Sequence, residues 1–70
     1  MIEIGNLVKV TPGRPVQVYS FESTLTRTIS AGTIGLVITK NGRFDFDREI
    51  VCLFGEGKYY ISMIFLEKLA

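Results

Sequence analysis

The chain has no histidine, no tryptophan and a single cysteine, Cys52. Without histidine, the side chain that most often moves protons near neutral pH is missing. A lone cysteine forms no internal disulfide, and the Cys/His sets that hold structural zinc are excluded with it. Long apolar runs are absent too, and nothing approaches the roughly 18 residues of a membrane span. The opening Met1-Ile2-Glu3-Ile4-Gly5 lacks the basic start and apolar stretch of a secretory signal. Charge of one sign is also missing. Eight Lys and Arg stand against seven Asp and Glu, a net charge of +1, which is too balanced for a protein that coats DNA by charge alone. These absences lead us to expect a cytoplasmic binding protein with its cysteine reduced, no catalytic residues, no metal, no cofactor and no membrane partner.

What is present points to strands. Val, Ile and Thr number 6, 8 and 6 among 70 residues, whereas Ala occurs twice. β-Branched side chains are stiff at χ1 and pack well on a pleated surface. Short apolar runs are punctuated by Thr11-Pro12-Gly13-Arg14-Pro15, Ala31-Gly32, Asn41-Gly42 and Gly55-Glu56-Gly57. The spacing predicts one all-β domain over 1–70, a sandwich or a barrel, and 70 residues suit a small five-stranded barrel best. Its strands are expected at Leu7–Thr11, Val16–Glu22, Arg27–Lys40, Phe46–Phe54 and Lys58–Ser62. The third is too long to run straight, and Gly32 and Gly35 are where it should bend or break. Pro12-Gly13 suits a type II turn and Asn41-Gly42 a tight hairpin. Met63–Leu69 reads equally as a helical turn or a last strand.

Leu36-Val37-Ile38 and Ile50-Val51-Cys52-Leu53-Phe54 are apolar on both faces. A strand with one solvated face should alternate. Either these strands curl through the core or a neighbouring subunit covers them. A chain this short buries only about 60% of its unfolded surface, and with disulfide and metal excluded, self-association is the expected reinforcement.

Candidates for chemistry are few. Asp45, Asp47 and Glu49 alternate through Phe44–Glu49 and fall on one strand face. Three carboxylates in this arrangement suit a divalent cation, yet ligands normally converge from several elements, so a solvated face beside Arg43 and Arg48 is expected. Gly55-Glu56-Gly57-Lys58 lacks the spacing of a phosphate-binding loop and reads as a turn. Cys52 lies mid-run and reads as an inert core side chain.

Two longer segments carry a family resemblance. Val18-Tyr19-Ser20-Phe21-Glu22-Ser23-Thr24-Leu25-Thr26-Arg27-Thr28-Ile29 resembles the first Sm motif, with Val18, Phe21, Glu22, Leu25 and Ile29 in place and Thr26 where asparagine is expected. Leu53-Phe54-Gly55-Glu56-Gly57-Lys58-Tyr59-Tyr60-Ile61 is similar to the second, in which an apolar residue, Arg and Gly precede the last strand. Together they span about a third of the chain. The resemblance implies a strongly bent five-stranded barrel whose fourth and fifth strands, at its edges, pair between subunits into a homo-oligomeric ring that binds RNA or other single-stranded nucleic acid. Glu22, Thr24, Thr26, Phe54 and Gly55 would surround one nucleotide, with a base stacked on an aromatic face. Three departures bear on this. Phe54 removes the arginine fork, Thr24 replaces a stacking aromatic, and Thr26 lacks the two-way amide. Arg14, Lys40, Arg43 and Lys58 lie near turns, as phosphate contacts or as solvated surface charges.

A second resemblance competes with the first. Ile4-Gly5-Asn6-Leu7-Val8-Lys9-Val10 and Ile61-Ser62-Met63-Ile64-Phe65-Leu66-Glu67-Lys68-Leu69 look like the opening and closing strands of SH3-like barrels, including stand-alone ones encoded by tailed phages. That likeness implies a protein-contact or structural module with no nucleic-acid role.

Overall fold

The computed structural model describes residues 1–11, 13–40 and 48–70. Pro12, the Asn41-Gly42 hairpin, Arg43, Asp45, Asp47 and the first residues of the strand expected from Phe46 lie outside the described residues.

Alternation sets the first strands. In β1 (Leu7–Val10) and β2 (Val16–Ser20), Val8, Val10, Val16 and Val18 turn inward, while Leu7, Gln17 and Tyr19 turn out. β3 (Thr26–Ile29) returns antiparallel along β2, and β4 (Ile34–Thr39), β5 (Glu49–Phe54) and β6 (Gly57–Ser62) follow as a meander. A single 3₁₀ turn, Met63–Phe65, then delivers β7 (Leu66–Lys68) onto β1. The Ser62 hydroxyl starts that turn by accepting from the Ile64 N–H at 3.4 Å. Every pairing is antiparallel, in the spatial order β3-β2-β6-β5-β4-β1-β7.

The expected count of five strands is therefore corrected to seven among the described residues. The predicted strand Arg27–Lys40 breaks at Ala31-Gly32, where Gly32 takes φ of 90° and the Thr33 N–H donates to the Ser30 carbonyl at 3.2 Å. Gly35 does not break the chain. It lies inside β4, with the Phe54 ring against its α-carbon. The C-terminal segment holds both alternatives in sequence, a helical turn and then a strand.

The sheet ends in two unpaired edges, β3 and β7, so it is open rather than closed into a barrel. It still wraps one core, because Val8, Val16, Ile29, Val37, Ile50 and Ile61, one from each of six strands, belong to a single buried cluster. A shift of register between Val37 and Thr39 adds a residue to β4 and sharpens the bend there. Ile50, Val51 and Cys52 are each fully buried. Ile50 and Cys52 face the core, whereas Val51 lies on the opposite face, between Thr39 and Tyr60. The single chain thus covers both faces of β5, and these residues no longer call for a second subunit.

Glu49 corrects the solvated reading of the carboxylate run. It is only 6% exposed, because β5 lies inside the sheet and Ser62 stands opposite it. No helix is long and apolar enough to cross a membrane among the described residues.

Candidate binding face

The β2–β3 hairpin and β6 meet at one corner of the sheet. Tyr19 pairs with Tyr60 and Ser20 with Tyr59, and the Phe21 N–H donates to the Lys58 carbonyl at 2.9 Å. Because Val18 and Ile61 face the core, the same alternation turns Tyr19, Phe21, Lys58 and Tyr60 to the outer face. Tyr19 and Phe21 remain 43% and 42% exposed. The Phe21 and Tyr60 rings lie tilted, centroids 5.4 Å apart, a favoured aromatic geometry. Leu25, at the hairpin tip, is also exposed. This corner is the largest concentration of accessible aromatic surface among the described residues.

Charges frame it. Lys58 Nζ lies 3.6 Å from Glu22 Oε1, joining the hairpin tip to β6. On the inner side, Arg27 shares a face with Val18, and its guanidinium sits 5.7 Å from the centre of the Tyr59 ring while donating to Tyr59 Oη at 2.9 Å. The ring neutralises none of that charge but holds it in place. Tyr59 in turn lies over Gly57, where the absence of a Cβ makes room for it. A cleft of about 500 Å³ opens beside this pair, lined by Arg27–Ser30, Thr33 and Phe54–Glu56.

The residues expected to surround a nucleotide separate into two groups. Glu22 and Lys58 form the ion pair at the outer corner, with Thr24 exposed at the hairpin tip and Thr26 paired to Tyr19. Phe54 and Gly55 belong to the cleft instead. Phe54 is 4% exposed and part of the core, so it forms a cleft wall and offers no free stacking face. Gly55, with φ of 63°, opens the two-residue turn between β5 and β6, and the chain then continues through β6 and β7. Hence Phe54-Gly55 does not stand before the last strand, as the second motif requires. The remaining cations scatter. Lys40 pairs with Glu3 at 3.3 Å beyond the far end of β4, and Arg14 lies exposed in the loop between β1 and β2. Lys9 is tied to Glu67 at 3.4 Å. Three of the four lysines therefore face a carboxylate.

Tyr19, Phe21, Tyr60 and Arg27 received no role in the sequence reading. The available signal was period two: once Val16 and Val18 are inward, Tyr19 and Phe21 must be outward. Among the described residues no group of three His, Cys, Asp or Glu side chains comes together. Burial pushes the Cys52 thiol up to about 12, which leaves no reactive thiolate near neutral pH. No protein-family model matches the chain, and no curated protein or solved structure is significantly similar to it.

Proposed function

We propose that the chain is a non-enzymatic, SH3-like interaction module that docks a protein partner on the outer aromatic corner of β2 and β6. The order of its elements supports the fold reading. An opening strand and a closing strand are the parts the SH3-like resemblance implies, and β7 returns along β1. The two segments that carry that resemblance end up as neighbours, since β1 and β7 pair from Val8–Lys68 to Val10–Leu66.

The observation that carries the functional reading is the accessible pair Tyr19 and Phe21 beside Tyr60. Aromatic side chains supply large contact area at low conformational cost and concentrate at protein interfaces. The charge pattern favours protein over nucleic acid. Phosphate binding draws on uncommitted cations and releases counterions, whereas here most lysines already face carboxylates. The Sm-like ring around RNA is the competing reading, and the same aromatic corner would then stack bases.

Two measurements separate them. Oligo-uridylate, oligo-adenylate and duplex DNA, titrated at low salt against micromolar protein, should leave the amide spectrum unchanged. Peptides selected from a random display library on the immobilised chain should bind the wild type and lose about tenfold or more in affinity with Tyr19→Ser or Phe21→Ser. Oligonucleotide binding that weakens steeply with salt overturns the proposal.

A further inference from the structure

The sheet has two free edges, and they are not alike. β7 is three residues long and carries Glu67 and Lys68, with Lys9 bridged to Glu67 across it. Short, charged strands of this kind are how proteins block unwanted pairing. β3 is Thr-Arg-Thr-Ile, high in strand propensity, and its Arg27, Thr28 and Ile29 line the 500 Å³ cleft.

The hydrogen-bond phase of β3 follows from its register. The Ser20 N–H donates to the Leu25 carbonyl at 2.9 Å, which makes that pair a hydrogen-bonded one. Antiparallel pairs alternate, so Val18–Arg27 and Val16–Ile29 are also hydrogen-bonded, and Arg27 and Ile29 point their main-chain groups at β2. Thr26 and Thr28 therefore direct their N–H and C=O groups away from the sheet, two donors and two acceptors at strand spacing. Their side chains face outward, while Arg27 and Ile29 turn toward the interior beside the Phe54 wall. On this side the Arg27 side chain reaches Tyr59. That contact uses one of the five guanidinium donors.

The geometry points to β3 as the acceptor of an added strand: an extended partner segment that pairs antiparallel with Thr26–Ile29. Main-chain bonds to Thr26 and Thr28 would supply the pairing, and alternate side chains would read the cleft. The segment's residue opposite Ile29 is apolar and covers Ile29 and Phe54. The residue two positions later stands opposite Arg27 and is acidic, meeting the guanidinium. Glu56, the other charge on the rim, lies across the cleft on the β5–β6 turn and disfavours a second acid. This goes beyond the aromatic corner, which lies on the outer face of β2 and β6.

The test uses the full chain and two synthetic peptides. One is acetyl-Thr-Val-Thr-Asp-Thr-amide, and the other is its twin N-methylated at the residues that would donate to β3. The first should shift the amides of Thr26, Thr28 and the Phe54–Glu56 turn, with saturation at millimolar peptide or below. The methylated twin should bind about tenfold weaker or not at all, and Arg27→Ala should weaken the parent peptide by a similar factor. Phe21→Ser, beyond the β2–β3 register, should leave this binding unchanged, which separates its failure from that of the aromatic corner. No shift at β3, equal binding by both peptides, or indifference to Arg27→Ala overturns the inference. So does a concentration-dependent shift of Thr26 and Thr28 without peptide, because a second copy would then be the occupant.

Discussion

Replacing Gly35 by alanine tests the packing that shapes the cleft. An added Cβ would lie 2.6 Å from Phe54 Cε1, 2.7 Å from Cδ1 and 3.0 Å from the Leu53 carbonyl oxygen. Carbon atoms do not approach to 2.6 Å, so the ring or β4 must move. Phe54 has little freedom, being 4% exposed and packed in the central cluster. Overpacking of this kind costs roughly 1–3 kcal/mol. For a domain of 70 residues the unfolding entropy is about 150 cal/mol/K, so each kcal/mol lowers Tm by about 7 °C. Gly35→Ala should therefore melt about 7–20 °C below the wild type in a circular-dichroism scan. The Phe54→Leu background supplies the control. Leucine ends short of the position that Cε1 occupies, so the alanine should cost less there, with a coupling of roughly 1 kcal/mol or more. The contact to the Leu53 carbonyl persists, and rescue should be partial. An alanine variant that melts with the wild type would refute the close approach of Phe54 to β4, and the cleft wall with it.

Four further outcomes follow from the same structure. Val51→Ala should lose about 2 kcal/mol in urea unfolding, since Val51 is fully buried, whereas Lys58→Ala should lose under about 1 kcal/mol because its ion pair is solvated. The Cys52 thiol ionises near 9.0 when unfolded but only near 12 when folded, because burial keeps its proton on. The unfolded chain then releases a proton first, so the thiol's contribution to stability falls above pH 9 by about 1.4 kcal/mol per unit until pH 12. Cys52→Val should remove that part of the alkaline slope, and equal slopes in both proteins would count against it. Light scattering on a sizing column should give the mass of one chain, 7.8 kDa, at micromolar concentration, and a closed multimer would restore the ring reading. Gly57→Ala should push the Tyr59 ring aside and release Arg27, seen as loss of the ring-current shift on the arginine side chain.

The strand class was legible because Val8, Val10, Val16 and Val18 alternate with outward residues, and period two has one structural meaning. Breaks were legible where glycine was needed. Gly32 and Gly55 both take positive φ, as the turn residues around them suggested. Strand count was less so, since nothing local distinguishes a bend from a break, and Gly35 serves instead as a seat for the Phe54 ring of the neighbouring strand β5. The candidate site was legible only in part. Glu22 and Lys58 do meet, but through β2–β6 pairing that joins residues 39 or more positions apart, Tyr19–Tyr60 and Ser20–Tyr59, which no local pattern encodes.

The two-sided apolar run in β5 left two causes open, a strand curled through the core or a covering subunit, and the burial of Val51 within one chain answers to the first. A break in alternation says that both faces of a strand are covered; it does not say by what. In an extended flat sheet the second face needs another layer, and in a small protein that layer would have to be another molecule. This sheet is bent around its own core, and β5 is its middle strand, with three strands on each side in the order of pairing. A strand so placed has in-register neighbours along its outer face, and Thr39 and Tyr60 flank Val51 there. Toward the other end of β5 the outer row is Leu7, Leu36 and Leu53, and its exposure grows from Leu53 to Leu7 as the edge is approached. Loss of period two therefore measures how central a strand is, and accessible apolar surface must be sought toward the edges. In this chain the edge strand β3 is where the cleft lies.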